Sequence, residues 1–166
     1  MQLPDAEQLV ATLADKVRQL AAQEPVALVG IHSGGAWLAE RLHAELGDAI
    51  PFGTLDISFY RDDFEQRGLH PQVKPSHIPF EVEGTHIVLI DDVLYTGRTI
   101  RGAMNELFDY GRPAKITLAV LVDRGGREMP VEAQIVGAHL DLAPQQSLEL
   151  LRDSNGTFSF KLHNHG

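Results

Sequence analysis

The chain has 166 residues, a formal net charge of −9 with histidine neutral, and 43% hydrophobic residues. Such a length supports one domain with a buried core, and such a composition excludes a disordered chain. The absence of cysteine excludes disulfides and thiolate chemistry, and the acidic balance argues against broad electrostatic capture of nucleic acid.

The N-terminus reads Met1-Gln2-Leu3-Pro4-Asp5, with no basic stretch leading into an apolar one. No apolar run approaches the ~20 residues that span a bilayer. A cytoplasmic protein with no membrane partner is the expectation.

Leu9, Leu13, Val17 and Leu20 recur at helical spacing and predict a helix over 5–22, with Asp5 as its cap. Glu24-Pro25 breaks it. Residues 26–31 form a short apolar strand, His32-Ser33-Gly34-Gly35 a turn, and residues 36–46 a second helix closed by Gly47. Residues 52–59 alternate as a strand. The polar stretch from 60 to 85 contains Pro71, Pro75 and Pro79 and reads as a long functional loop. A strand over 86–91, a helix over 97–110 closed by Gly111 and a strand over 115–122 follow. Short strands are expected near 133–136, 147–151 and 157–162. His163 and His165 read as part of a frayed polar tail rather than as metal ligands. Strands alternating with helices predict an α/β fold: a doubly wound, mostly parallel sheet with helices on both faces. Its ligand crevice would lie beyond the carboxyl ends of the strands.

The most informative run is Val88-Leu89-Ile90-Asp91-Asp92-Val93-Leu94-Tyr95-Thr96-Gly97-Arg98-Thr99. An apolar strand ends in two carboxylates, and a small hydroxylated turn then opens a helix. Helix N-terminal amides favour an anion. Gly97 permits close backbone approach, and Thr96 and Thr99 add hydroxyl donors. The carboxylates would repel a phosphate, so they must face sugar hydroxyls or a metal ion that carries the ligand's charge.

This run is similar to the phosphoribosyl pyrophosphate (PRPP) motif of type I phosphoribosyltransferases. It is closer still to the pyrimidine operon regulator / uracil phosphoribosyltransferase family (PyrR). The resemblance extends to Asp56-Ile57-Ser58-Phe59-Tyr60-Arg61-Asp62-Asp63 and to Leu121-Val122-Asp123-Arg124-Gly125-Gly126-Arg127-Glu128, covering roughly residues 26–137. It implies a type I phosphoribosyltransferase fold in a single domain over 1–166, with a flexible loop at about 60–85 and a small hood at about 123–162. It also implies the reaction of uracil with PRPP to give UMP and pyrophosphate, with Mg²⁺ bound alongside PRPP or pyrophosphate and no metal ligand assigned directly to the protein.

Carried over by position, Asp91 and Asp92 bind the ribose hydroxyls, while Tyr95, Thr96, Gly97, Arg98 and Thr99 bind the 5′-phosphate; Val93 and Leu94, between them, belong to the same implied substrate-binding set. Asp91, Asp92 and Arg61 form the implied catalytic set, Arg61 with Asp62 and Asp63 opening a loop that closes over PRPP. Asp123 and Arg124 mark the turn that receives the base, and Tyr95 tilts the base toward a pyrimidine. Ser33 and Gly34 lie in the implied pyrophosphate loop, for which the resemblance also implies a strained or cis peptide. Here the chain departs from the family. Where PyrR proteins usually read Lys-Thr-Arg-Gly, this chain reads His32-Ser33-Gly34-Gly35, losing two cations.

The resemblance implies regulation of pyrimidine biosynthesis genes beside this reaction, and two alternatives stand next to that reading. One is a regulator of pyrimidine biosynthesis genes that senses UMP or PRPP with little catalysis; the other is a purine phosphoribosyltransferase. Binding of pyrimidine-operon mRNA would need a basic surface, yet the first helix offers only Lys16 and Arg18, and Glu128 and Glu132 follow Arg127. The family forms dimers or larger homo-oligomers.

Overall fold

A computed structural model describes residues 2–57 and 76–165. Helix α1 (Ala6–Gln23) begins where the Asp5 side chain accepts hydrogen bonds from the amides of Glu7 and Gln8, at 3.0 and 3.4 Å. Strand β1 (Ala27–Ile31) leads into α2 (Gly34–Leu46), then β2 (Phe52–Leu55). Strand β3 (His86–Leu94), helix α3 (Arg98–Tyr110), β4 (Lys115–Asp123) and β5 (Ile135–His139) complete the central layer. A hairpin of β6 (Gln146–Arg152) and β7 (Phe158–Asn164) closes the chain.

The central sheet has the order β2-β1-β3-β4-β5, and all its neighbours pair in parallel. Period-two alternation divides its side chains between two faces. Leu28, Val88, Ile90, Ala119 and Leu121 pack with α1, α2 and the hairpin residues Leu150 and Phe158. Val29, Ile87, Leu89, Leu118 and Val120 pack with Ile100, Ala103 and Leu107 of α3. The doubly wound parallel sheet with helices on both faces is therefore present.

Three boundaries differ from the sequence reading, each for a physical reason. Strand β3 does not stop at the acids. Val93 pairs with Val122 and Leu94 with Asp123, so β4 carries the ladder past them. Helix α2 starts at Gly34, inside the expected turn. There the helix presses on β3 so closely that a Cβ on Gly35 would lie 2.3 Å from the Ile90 carbonyl oxygen. Strand β2 ends at Leu55, before the expected 59; residues 58 and 59 lie outside the described residues.

The segment expected as a hood divides. Strand β5 joins the central sheet beside β4, and the separate two-stranded hairpin alone stands outside it. The tail is not frayed: β7 runs to Asn164. His163 Nε2 meets Glu149 Oε1 at 2.7 Å, and His165 Nε2 meets Ser147 Oγ at 2.8 Å. Both are cross-strand contacts of the hairpin.

Candidate active site

In an open parallel sheet, a crevice opens where neighbouring strands send their connections in opposite directions. Here β1 connects through α2 to β2 on one side and has β3 on the other. A cavity of about 570 Å³ opens at this point. His32, Ser33 and Gly34 line it from the end of β1, Asp91, Asp92 and Val93 from β3, and Thr96, Arg98 and Thr99 from the start of α3. Trp37 of α2 and Leu148, Glu149 and Leu150 of β6 complete its wall.

Asp91 is buried and Asp92 half-buried. Asp91 Oδ1 accepts from the Asp92 amide at 2.9 Å, and Asp92 Oδ1 accepts from the Val93 amide at 2.8 Å. Asp92 also packs on the β1 loop, because a Cβ on Gly34 would lie 2.2 Å from its Oδ2. The His32-Ser33 peptide is cis.

The turn before α3 is built for close approach. Gly97 caps the helix at φ 94°, a left-handed conformation natural to glycine. The Thr96 hydroxyl accepts from the Arg98 amide at 3.2 Å. The next amides of the first turn have no acceptor within the helix, and Thr99 beside them lines the cavity. Arg98 Nε donates to Glu128 Oε1 at 3.0 Å, so part of its charge is spent at the rim.

Asp123, Arg124 and Tyr95 form a neighbouring layer rather than the cavity wall. Burial alone would push the Asp123 carboxyl up, but Arg127, the Gly125 amide and His139 together hold it below the usual carboxylate range. Arg127 Nη2 donates to Asp123 Oδ2 at 2.5 Å. The Arg124 guanidinium lies over the Tyr95 ring, 3.8 Å from its centroid. Leu94, buried, belongs to the core on the α3 side, and Gly97 is covered by Met129 and Val131. Arg61, Asp62 and Asp63 lie outside the described residues.

Sequence reasoning missed Trp37, the β6 residues and Arg127. Trp37 reads as an ordinary helix position, and β6 reaches the site from over fifty residues beyond the acid pair, so no local spacing marks either. Arg127, given no role in the sequence, donates to Asp123, to the Tyr95 carbonyl at 2.9 Å and to the Val131 carbonyl at 2.8 Å. Its place four residues after Asp123 was the available signal.

Two carboxylates thus stand beside a turn of backbone and hydroxyl donors at the switch point of a parallel sheet. The family model of the phosphoribosyl transferase domain matches residues 1–145. Among solved structures, a hypoxanthine-guanine phosphoribosyltransferase from Bacillus anthracis superposes with a TM-score of 0.62 at 16% identity, over 84% of each chain. A hypoxanthine phosphoribosyltransferase of Trypanosoma cruzi gives 0.61 at 19% identity, over 84% of this chain and 81% of that one. These structures share the fold. The chain is 53% identical to the bifunctional protein PyrR of Pseudomonas entomophila over 153 residues, 90% of this chain and 89% of the relative. It is 59% identical to the bifunctional protein PyrR of Nitrosococcus oceani over 126 residues, 75% of this chain and 71% of the relative. The chain belongs to the phosphoribosyltransferase family and, within it, to the PyrR proteins.

Among the described residues no group of three or more histidine, aspartate or glutamate side chains is placed to hold a metal ion. No helix among them is long and apolar enough to cross a membrane.

Proposed function

We propose that this chain transfers a phosphoribosyl group from PRPP to uracil, giving UMP and pyrophosphate, and that the same site senses these ligands in regulating pyrimidine biosynthesis genes. The observation that carries the reading is the single cavity wall shared by Asp91, Asp92, Thr96 and Thr99. Asp91 and Asp92 accept hydrogen bonds from the ribose hydroxyls. The amides and hydroxyls at 96–99 hold the 5′-phosphate, and Ser33 and Gly34 offer amides to the pyrophosphate. Fixing the ribose at both ends presents C1 to the base nitrogen, so catalysis rests on positioning and on stabilising charge as the C1–O bond breaks. The β6 residues and Trp37 form the remaining wall of that cavity.

Mg²⁺ fits the donor set: Asp91 and Asp92 supply hard oxygen atoms, and the ligand's phosphates would supply the rest. When bound, it neutralises charge on the leaving pyrophosphate. That contribution matters more here because the loop holds His32 where the family usually has lysine. Arg61 belongs to the proposed catalytic set.

Uracil is preferred to a purine by virtue of the PyrR relatives, since the solved purine enzymes share only the fold. Direct capture of mRNA through α1 is disfavoured. Lys16 donates to the Val136 carbonyl at 2.9 Å, and Arg18 pairs with Asp15 at 2.6 Å. Regulation through UMP or PRPP occupancy does not need that surface, and a gel-shift titration with leader RNA at fixed salt separates the two routes.

The test is conversion of radiolabelled uracil by the purified protein with PRPP and Mg²⁺. UMP formation dependent on both is expected. No UMP at saturating PRPP and Mg²⁺, or activity on hypoxanthine in its place, would overturn the reading.

A further inference from the structure

Tyr95 opens the turn at 96–99, and the loop after β4 grips it from three directions. The Arg124 guanidinium stacks over its ring at 3.8 Å. Gly126 backs the ring so tightly that a Cβ there would lie 2.4 Å from Tyr95 Cε1. Arg127 holds the Tyr95 carbonyl at 2.9 Å.

Arg124 also reaches the other way. Its Nη1 donates to the Gln146 carbonyl at 2.7 Å and its Nη2 to the Ala143 carbonyl at 3.0 Å. Its own amide donates to the Leu94 carbonyl at 3.0 Å, pinning the backbone beside β3. Gln146 is the first residue of β6, whose Leu148, Glu149 and Leu150 line the cavity. Arg124 is only 6% exposed. One buried side chain thus spans the phosphate turn and the hairpin. Arginine suits this task, because its flat face stacks while its edge donates in a rigid fork.

We infer that Arg124 is a positioning residue: acting through Tyr95, it couples occupancy of the turn at 96–99 to the placement of the β6 wall over the bound sugar. Its two terminal nitrogens are committed to carbonyls and its face to the ring, while Nε is buried without a hydrogen-bond partner among the described residues. A shift of Tyr95 on phosphate binding must strain the stack or draw Gln146 and Ala143 with it. The result is a wall that settles over the sugar when the turn is filled. This rests on the reading of that turn as a phosphate site.

Backbone amide exchange of the full chain with and without UMP tests it. In the wild type, UMP should slow exchange both at 98–101 and at 146–152. In Arg124→Lys and in Tyr95→Leu, UMP should still slow exchange at 98–101 while the response at 146–152 is lost. Tyr95→Phe, which keeps the ring, should restore it. A hairpin response that persists in both uncoupled variants, or its absence from a wild type whose turn is protected, overturns the coupling. Failure of UMP to protect 98–101 in the wild type overturns the phosphate-site reading itself. Should Arg124→Lys not fold, Tyr95→Leu still decides, because Tyr95 is 37% exposed and its removal leaves the Arg124 bonds to the hairpin in place.

Discussion

Asp92 and Gly34 touch across the site: a Cβ on Gly34 would lie 2.2 Å from Asp92 Oδ2 and 2.8 Å from its Cγ. The acid that would hold the ribose is therefore seated by the loop that would hold the pyrophosphate. Gly34→Ala should swing the Asp92 carboxylate out of place. Misplacing a reacting group by about 1 Å can cost ~100-fold in rate, and kcat/KM for PRPP should fall on that order. The thermal midpoint should move little, since the obstructing atoms end a side chain.

Gly35→Ala should behave in the opposite way. Its Cβ would meet backbone, the Ile90 carbonyl oxygen at 2.3 Å and the Asp91 Cα at 3.0 Å. Neither can swing aside, so the helix and strand must separate. Overpacking of this kind costs roughly 1–3 kcal/mol, to be read as a fall in midpoint by thermal denaturation.

Asp92→Asn keeps volume and removes charge. A hydrogen bond to a charged group contributes about 1.5–3 kcal/mol, so PRPP use should weaken roughly 10- to 100-fold by the same measure. The fold should stay intact, because Asp92 is half-buried and outside both hydrophobic clusters. Loss of thermal stability with unchanged PRPP affinity would count against its assignment to the ribose.

These three variants concern positions that the sequence already marked, which shows where sequence reasoning reached. The strands and helices were legible because their burial is periodic: Val88 and Ile90 against Ile87 and Leu89 divide the two faces of the sheet. The acid pair and turn were legible because one short run supplies strand end, carboxylates, glycine and helix start. Nothing in the run itself showed that β3 continues to Leu94, since that depends on partners in β4. Trp37 and the β6 wall escaped notice because folding alone, not spacing, brings residues 37 and 148–150 to residue 91. Tyr95 illustrates the remaining gap. It was read for substrate choice, and the ring is engaged by Arg124 and Gly126.

Glu106 offers a pH-dependent test remote from the cavity wall. Burial chiefly pushes its carboxyl above the usual range; Ser76 opposes this, and the Asp56 and Asp109 charges reinforce it. Among the described residues its Oε2 is buried without a hydrogen-bond partner, while Oε1 accepts from Ser76 Oγ at 3.1 Å. The native state therefore binds this proton more tightly than the unfolded chain does. Stability contributed by this group is present below the unfolded pKa, about 4.3, and is lost as pH rises through the raised folded value. Glu106→Gln should raise the thermal midpoint at pH 7, and the gap should close in acid below about pH 4.

Asp123 should show the reverse sign. Despite burial, its bonds to Arg127 and to the Gly125 amide hold its carboxyl below the ordinary value. Its contribution is present above the unfolded pKa, about 3.9, and is lost as pH falls through the lower folded value. Asp123→Asn should lower the thermal midpoint at neutral pH, and the difference from wild type should shrink in acid. A constant difference across the acid range would show that Arg127 gains nothing from the charge.

The most direct measurement is the crystal structure of the protein with UMP bound. The phosphate should rest on the amides and hydroxyls of residues 96–99, with the ribose hydroxyls on Asp91 and Asp92. UMP bound elsewhere on the molecule, or a cavity left empty at saturating UMP, would contradict the assignment of this site.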